Sequence, residues 1–248
     1  MKKVVLITGA ANGIGKAIAI ELAKNNYDVV INYFNSEEKA IALKDELINN
    51  YHINSLAIKA DVSKEDEVAK MANEVKEKLG GVDILINNSA IDLSNLYNSK
   101  TAEEFRKTLD VNVVGAFNCA KEFAKGMLDK KYGRIINISS TNGINTYYPM
   151  SIDYDASKAA LISLTHNLAV QYAPYINVNA IAPGFIGTEH ELEGYDETFL
   201  KEEQEKILVK RYGEPEEVAY LVKFLISDEA NYINNTIIRI DGGQKGSN

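Results

Sequence analysis

The sequence predicts an α/β fold built on a doubly wound, seven-stranded parallel sheet with helices on both faces. Short runs of β-branched residues alternate with longer helical patterns along the chain, and this alternation is typical of βαβ units. No linker, repeat or low-complexity segment interrupts the alternation. At 248 residues the chain can bury a large core, and we expect residues 1–248 to form a single domain.

The strands follow from the β-branched runs. We predict them at residues 4–8, 29–33, 55–59, 84–87, 134–139, 177–181 and 236–240. In a doubly wound sheet their order would be 3-2-1-4-5-6-7, with the last strand as an addition to the usual six. Helical patterns begin near Ile14, Ser36, Lys64, Thr101, Asp155 and Pro215, several with a capping residue at the start.

Two segments depart from the regular pattern. Residues 185–209 follow a Pro-Gly pair and are rich in Glu, which predicts a mobile, partly helical flap over the substrate. Residues 140–154 contain Gly143, Pro149 and three tyrosines between a strand and a helix. Both segments leave carboxyl ends of strands, where ligands bind in open α/β sheets.

Composition and charge exclude several classes of function. A formal net charge of -8 opposes binding to nucleic acids and to anionic membrane surfaces. The densest basic run, Lys130, Lys131 and Arg134, is short, and we interpret it as a solvated loop or helix end. The single cysteine, Cys119, allows no intrachain disulfide and is expected to pack in the core. Without a signal peptide or a long apolar span, we expect a cytoplasmic protein.

A glycine-rich turn directly follows the first predicted strand and opens a helix. It reads Thr8-Gly9-Ala10-Ala11-Asn12-Gly13-Ile14-Gly15. Glycines at these places allow a tight turn and a close backbone approach, so that a pyrophosphate can lie on the helix N-terminus. The turn therefore predicts a Rossmann-type nucleotide-binding domain, although Gly-rich turns also occur for purely structural reasons.

Tyr154 and Lys158 are four residues apart and lie on one face of a predicted helix. A free tyrosine has a pKa of about 10 and transfers protons poorly at neutral pH. A cation ~5 Å away contributes roughly 3 kcal/mol at an effective dielectric of ~20, which lowers that pKa by about two units. The pair can therefore form a proton donor and acceptor, provided that other polar groups accompany it.

Such polar groups follow the neighbouring strands. Ser140 ends the fifth predicted strand, where its hydroxyl can bind the reacting oxygen. Asn88 follows the fourth strand, and Asn112 lies in the helical pattern after it. Asparagines at such places are often simple caps or turns. Their convergence on one edge of a sheet instead favours a catalytic site.

Together these motifs resemble the short-chain dehydrogenase/reductase family over the whole chain. The matching segments, in order, are TGAANGIG, Asp61-Val62, LINNSA, the Asn112 segment, NISS, YDASK, APGFIGT and IRIDGG. The resemblance implies that Tyr154 is the general acid in reduction and the base in oxidation. It further implies that Lys158 holds the nicotinamide ribose and lowers the phenol pKa, that Ser140 steadies the carbonyl, and that Asn112 positions a relay water. No metal is implied.

The resemblance also implies the cofactor site. Asp61 would contact the adenine, Asn88 would line the cleft and Thr188 would reach the nicotinamide carboxamide. The full expected set comprises Gly9, Asn12, Gly13, Ile14, Gly15, Tyr33, Asn35, Ser36, Asp61, Val62, Asn88, Ser89, Ala90, Tyr154, Lys158, Pro183, Gly184, Ile186 and Thr188.

Two positions depart from the family pattern. Ala90 stands where a glycine is usual, which is compatible with the fold if the backbone φ there is negative. Asn235-Thr236 replaces the usual Gly-Gln before the last strand, and Asn tolerates the left-handed conformation that such a turn requires.

The end of the second strand bears on cofactor choice. An acidic residue there would bind the ribose 2′-hydroxyl and reject a 2′-phosphate. This chain has Tyr33, Phe34, Asn35 and Ser36, with no carboxylate before Glu37. No arginine is in place to clamp a phosphate either, but Asn12, Asn35, Ser36 and Lys39 can bind it. We therefore expect NADP(H) to be favoured over NAD(H).

The resemblance leaves several activities open. Reduction of 3-oxoacyl groups on acyl carrier protein, a step of fatty acid biosynthesis, is the nearest general resemblance, and sugar, steroid or other small-alcohol dehydrogenases are alternatives. A non-catalytic nucleotide-binding protein is an alternative of another class, opposed by the intact Asn112, Ser140, Tyr154 and Lys158. The short chain opposes a flavin or nucleotide-sugar enzyme. The family also implies a homotetramer that pairs the helices at residues 101–130 and 155–172.

An acidic carrier protein would need a basic docking surface. Lys130, Lys131 and Arg134 supply basic residues before the fifth strand, but residues 171–175 supply none after the catalytic helix. The flap adds an acidic cluster, Glu189, Glu191, Glu193, Asp196 and Glu197. The carrier would therefore have to dock through Lys130 and Lys131 alone. The alternative substrate is a small free ketone or sugar.

Overall fold

A computed structural model describes residues 2–246 of the chain, apart from the side chain of His190. Its centre is a seven-stranded parallel sheet in the order β3-β2-β1-β4-β5-β6-β7. The strands are β1 Val4–Ile7, β2 Asp28–Tyr33, β3 Ser55–Lys59, β4 Ile84–Asn87, β5 Gly133–Ile138, β6 Ile176–Pro183 and β7 Ile237–Ile240. The predicted fold class and strand order are confirmed.

Helices cover both faces of the sheet. They are α1 Gly13–Lys24, α2 Glu37–Tyr51, α3 Glu65–Leu79, α4 Ala102–Leu109, α5 Gly115–Lys130, α6 Ile152–Tyr172, α7 Glu189–Gly194, α8 Glu197–Lys206 and α9 Pro215–Ile226. The side chain of Thr101 caps α4 in a reciprocal arrangement with Glu104, as the sequence pattern predicts. Among residues 2–246, no helix is long and apolar enough to cross a membrane.

Alternate residues of the strands pack into two separate hydrophobic cores, one on each face of the sheet. Val5 and Ile7 of β1 face a cluster shared with α1, α2 and α9, whereas Val4 and Leu6 face a cluster shared with α3, α5 and α6. Each fully buried aliphatic side chain contributes about 1.5–3 kcal/mol. Because both faces of β1 are buried, all four of its residues are apolar, as is usual in parallel sheets.

Three local features differ from the sequence-based expectations. Helix α6 begins at Ile152, three residues before the predicted start, so Tyr154 lies within its first turn. Asn112 lies in a π-helical turn, Asp110–Val114, that joins α4 to α5. Arg134 is not part of a solvated basic run, because it lies in β5 with only 4% of its surface exposed. Its guanidinium stacks over the Tyr132 ring and bonds to Asn231.

The flap segment forms the short helices α7 and α8, so its partly helical character is confirmed. It is tied to the chain end, because the amide of Val209 donates to the carbonyl of Gly242 over 3.2 Å. Cys119 is fully buried, as expected, and burial raises the pKa of its thiol to about 12.

Candidate active site

The turn between β1 and α1 depends on glycine at three places. Gly9 and Gly13 have φ angles of +62° and +51°, which side chains rarely adopt. A Cβ on Gly15 would lie 2.7 Å from Asn88 Nδ2 and 2.8 Å from the carbonyl oxygen of Gly9. The turn is therefore packed against the residues that follow β4, where the strand order of the sheet changes direction.

Asn88 and Ser89 brace this turn from β4. Asn88 Nδ2 donates to the carbonyl oxygens of Thr8 and Gly9 over 2.9 and 3.1 Å. The backbone amides of Asn88 and Ser89 both donate to Thr8 Oγ1, over 2.9 and 3.0 Å. Asn88 is thus a structural partner of the glycine turn as well as a residue of the cleft.

The N-terminus of α1 fits a pyrophosphate. Asn12 stands at the N-cap but makes no capping hydrogen bond, so the amides of the first turn are left for a ligand. Its side chain instead donates to Ser36 Oγ over 3.3 Å. This bond brings the glycine turn and the start of α2 together around the place where the adenosine ribose would lie. Asn35 is exposed there, whereas Tyr33 is buried.

Asp61 and Val62 follow β3 and face the same edge of the sheet. Asp61 Oδ1 accepts hydrogen bonds from the amide and hydroxyl of Ser63, over 2.9 and 2.7 Å. Val62 is buried against α5, where its carbonyl accepts a bond of 3.0 Å from Asn118 Nδ2. The side chain of Asp61 therefore shapes the turn before α3, and its adenine contact remains a prediction.

Ser140, Tyr154 and Lys158 converge at the carboxyl edge, from the end of β5 and the first turns of α6. Lys158 Nζ lies 5.2 Å from the centre of the Tyr154 ring and donates to the carbonyl of Ile138 over 2.9 Å. Ser140 Oγ accepts from the amide of Asn142 and donates to its side-chain oxygen, over 3.1 and 3.2 Å. The predicted helical spacing thus places the phenol and the amine within reach of one another.

The pKa of the Tyr154 phenol is raised, whereas the sequence predicted that it would be lowered. Burial is the largest cause, followed by the carboxylates of Glu191 and Asp92, and a hydrogen bond with Ser140 opposes them. Burial also lowers the pKa of Lys158 to about 8. The predicted lowering of the Tyr154 pKa by Lys158 is therefore wrong for the protein without cofactor. Burial favours the neutral forms of both the phenol and the amine.

Asn112 is held by three hydrogen bonds. Its Oδ1 accepts from the amide of Ile91 over 2.8 Å, and its Nδ2 donates to the carbonyl of Ile91 over 3.0 Å and to Ser157 Oγ over 2.9 Å. The hydroxyl of Ser157 in turn donates to the carbonyl of Tyr154 over 2.7 Å. Asn112 thus connects the segment after β4 to the first turn of α6, and its water-relay role remains a prediction.

A cavity of about 700 Å³ opens between these groups and the flap. Ten of the residues expected from the sequence line it, namely Ile14, Asn88, Ala90, Ser140, Tyr154, Lys158, Pro183, Gly184, Ile186 and Thr188. The other expected residues lie outside the cavity, mostly along the same sheet edge, and Asn112 is buried behind it. Among residues 2–246, no group of three or more His, Cys, Asp or Glu side chains is placed to hold a metal ion.

Sequence reasoning missed several residues of this cavity, including Asp92, Tyr148, Met150, Tyr195, Phe199 and Gln244. Gln244 Oε1 accepts from the amide of Phe185 over 3.1 Å and so joins the chain end to the start of the flap. Asp92 and Gln244 both follow carboxyl ends of strands, β4 and β7. The rule that ligands bind at this edge could have identified them.

Both departures from the family pattern are compatible with the fold. Ala90 has a negative φ, and its methyl group is exposed at the cavity. Asn235 has a φ of +60° at the turn before β7, as its residue type suggested. Its Oδ1 lies 2.6 Å from His166 Nδ1 on α6.

A dinucleotide cradle beside a Tyr, Lys and Ser group defines a nicotinamide-dependent oxidoreductase of carbonyls and alcohols. Residues 9–245 match a family model described as enoyl-(acyl carrier protein) reductase. The 3-oxoacyl-[acyl-carrier-protein] reductase FabG of Staphylococcus epidermidis is 40% identical, over 98% of this chain and 99% of that protein.

Solved structures of other proteins also resemble this chain over nearly its whole length. A crystal structure of levodione reductase is 35% identical, has a TM-score of 0.89, and matches 98% of this chain and 97% of its own. A structure described as ElxO with NADP bound has the same identity and TM-score, and matches 98% of this chain and 99% of its own. The chain belongs to the short-chain dehydrogenase/reductase family.

Proposed function

We propose that this protein is an NADP(H)-dependent reductase of 3-oxoacyl thioesters carried on acyl carrier protein. The observation that carries the proposal is the convergence of Ser140, Tyr154 and Lys158 in one cavity beside the glycine turn. The identity of 40% to the Staphylococcus epidermidis reductase supports this substrate class.

When bound, the nicotinamide supplies a hydride to the carbonyl carbon. Tyr154 donates its phenolic proton to the carbonyl oxygen, so that the ketone becomes a secondary alcohol. The hydroxyl of Ser140 donates a hydrogen bond to the same oxygen as negative charge develops on it. Lys158 Nζ lies 5.2 Å from the centre of the Tyr154 ring and stabilises the negative charge that the phenol carries after it has donated its proton.

The raised pKa of Tyr154 favours the direction of reduction. Burial and the carboxylates of Glu191 and Asp92 keep the phenol protonated at neutral pH, which is the form that donates a proton. Oxidation would require the phenolate. The protonated phenol is therefore the form suited to the proposed reduction.

Docking of a carrier requires more than one subunit. Lys130 and Lys131 lie at the end of α5, before β5, and therefore at the edge of the sheet opposite the cavity. The six residues of β5 separate the two edges by roughly 20 Å. Lys130 also pairs with Asp83 over 2.7 Å, and Arg134 is buried. A two-fold axis that pairs α5 with its copy in antiparallel orientation would bring these lysines toward the neighbouring protomer's cavity.

We accordingly propose a cytoplasmic homotetramer of single-domain protomers. Exposed apolar side chains on the paired helices, Phe117 of α5 and Val170 of α6, support association through this face, since Val170 is 74% exposed. Light scattering should give a mass near four subunits, and a mass near one subunit would contradict the proposed docking as well.

A small ketone is the second candidate substrate. The carboxylates of Asp92 and Glu191 line the cavity and would disfavour an acidic carrier at the mouth. Reduction by NADPH of a 3-oxoacyl-carrier substrate, its short thioester mimic and a panel of cyclic and acyclic ketones separates the two. The proposal expects kcat/KM on the carrier substrate to exceed that on the mimic severalfold and to fall as salt rises. Equal, salt-independent values would favour the small ketone.

A further inference from the structure

Lys100 and Asp153 form an ion pair in the interior of the protein, next to the active site. Lys100 Nζ lies 2.9 Å from Asp153 Oδ1, and their side chains are only 4% and 0% exposed. The hydroxyl of Thr108 donates to Asp153 Oδ2 over 2.7 Å, and the ammonium of Lys100 also bonds to the carbonyl of Leu93. This set of contacts is largely closed to water.

The ion pair joins the two parts of the protein that enclose the reacting carbonyl. Residues 91–94 form one wall of the cavity, and Lys100 ends the same segment. Asp153 immediately precedes Tyr154 in the first turn of α6. Any movement of the Lys100 side chain is therefore transmitted both to the wall and to the turn that carries the phenol.

Two further bonds tie the same elements together. The amide of Asn95 donates to the carbonyl of Met150 over 3.0 Å, and Ser151 Oγ donates to Asp92 Oδ2 over 2.7 Å. These are ordinary polar contacts at the edge of the cavity. The ion pair differs from them because both charges are buried, so its geometry tolerates little displacement.

Stability alone does not account for a buried pair of charges. Removing two charges from water costs about as much as their attraction returns, and well-packed neutral residues are often equally stable. What a buried pair does provide is a single, fixed arrangement of the elements that it joins. That arrangement matters most where a reacting group must be held to within a fraction of an ångström.

We infer that Lys100 and Asp153 are positioning residues, whose ion pair fixes the wall at residues 91–100 against the first turn of α6 and thereby places the substrate carbonyl beside Tyr154. The inference rests on the proposed reduction of a ketone by Tyr154. Lys100 and Asp153 do not line the cavity, so they act through the wall and through the helix turn.

Because its two charges cancel, the pair itself adds no net charge near the phenol. Tyr154 is faced by Glu191 from α7, by Asp92 after β4, and by Asp155 and Lys158 from its own helix. Removing Lys100 alone would leave one more negative charge near the phenol and raise its pKa. Removing the charge of Asp153 alone would leave a positive charge and lower it. The two single substitutions should therefore move the phenol pKa in opposite directions.

The test compares Lys100→Met, Asp153→Asn and the double variant with the wild type. The control, Lys70→Met, removes an exposed lysine that pairs with Asp66 on α3. With a ketone substrate and NADPH, we expect each single variant to lose at least about tenfold in kcat/KM. We expect the double variant, which also lacks the pair, to stay at least about tenfold below the wild type in kcat/KM, and NADPH affinity to stay within about twofold.

The phenol pKa supplies a readout that does not depend on activity. In protein containing tyrosine labelled with ¹³C at Cζ and saturated with NADP⁺, the Tyr154 signal, assigned with Tyr154→Phe, reports the ionisation directly. We expect an upward shift of at least about half a unit for Lys100→Met, a downward shift for Asp153→Asn, and a return to the wild-type value for the double variant.

Equal or same-direction pKa shifts in the single variants, or a double variant with the kcat/KM of the wild type, would overturn the inference and leave the pair a purely structural tie. If Lys100→Met does not fold, the comparison of Asp153→Asn with the double variant gives the same decision. If no 3-oxoacyl substrate is reduced, the proposed substrate fails, but the labelled-tyrosine shifts still decide whether the pair acts on Tyr154.

Discussion

Lys158 Nζ lies 5.2 Å from the centre of the Tyr154 ring while it donates a hydrogen bond to the carbonyl of Ile138. The amine is therefore hydrogen-bonded to the end of β5, and it would lose that bond if it moved together with the Tyr154 side chain. Because burial lowers the pKa of Lys158 to about 8, the charge of this amine in the protein without cofactor changes near pH 8.

Tyr154→Phe removes the proposed proton donor and leaves the ring in place. We expect kcat to fall by at least about 10²-fold with cofactor affinity nearly unchanged, because positioned proton transfer contributes about 10²- to 10⁴-fold. Steady-state kinetics and cofactor titration measure the two quantities. The same substitution at the fully exposed Tyr232 is the control, and near-normal turnover of Tyr154→Phe would rule out the mechanism.

Lys158→Met should impair turnover and cofactor binding together, since we propose that the lysine both supports Tyr154 and holds the nicotinamide ribose. The same substitution should stabilise the folded protein below about pH 8, although it impairs activity. Burial lowers the pKa of Lys158 from 10.5 to about 8, so the free folded protein loses this proton before the unfolded chain does. The lysine therefore destabilises the fold below about pH 8, and this penalty is relieved as pH rises toward 10.5.

Thermal unfolding without cofactor tests this sign. We expect Lys158→Met to melt above the wild type at pH 7 and to lose that advantage as pH rises through 8 to 10. A constant difference across this range would mean that the lysine is not discharged by burial.

We expect the residues at the end of β2 to favour NADPH, which carries a 2′-phosphate, over NADH. We expect a higher kcat/KM with NADPH than with NADH, because no carboxylate lies between the end of β2 at Tyr33 and Glu37, and the exposed Asn35 adjoins Ser36, which bonds to Asn12. Asn35→Asp should lower kcat/KM with NADPH by at least about tenfold and leave that with NADH little changed, since like charges repel.

Asn50→Asp is a matched control for that substitution, because Asn50 is exposed at the other end of α2. A wild-type kcat/KM that is tenfold higher with NADH would show that we have misinterpreted the end of β2.

Charge reversal at Lys130 and Lys131 tests carrier docking. The double Lys→Glu variant should lower kcat/KM on the carrier substrate and leave the thioester mimic unaffected, since only the carrier carries the acidic surface. The same reversal at Lys76 and Lys78, at the end of α3, changes the net charge equally and should have a smaller effect. Equal effects of the two double variants would point to net charge and not to docking at α5.

Most of the fold could be predicted from the chain. All seven predicted strands are present with boundaries within two residues, and Thr101 and Pro215 start helices where the pattern placed them. These elements depend on local signals such as apolar runs, caps and glycine turns. The π-helical turn at Asp110–Val114 could not be predicted, because it is maintained by the contacts of Asn112 with Ile91 and Ser157.

The sequence by itself determined the family, the sheet order and the Tyr154, Lys158 and Ser140 group, because these depend on spacing and on residue types at strand ends. Only the tertiary structure decided the charge state of that group. Burial, followed by the carboxylates of Glu191 and Asp92, raises the pKa of Tyr154, and the side chains of Lys100 and Asp153 are paired in the interior. Both effects require residues distant in the chain to meet away from water, where Coulomb interactions are strong and no spacing rule reveals them.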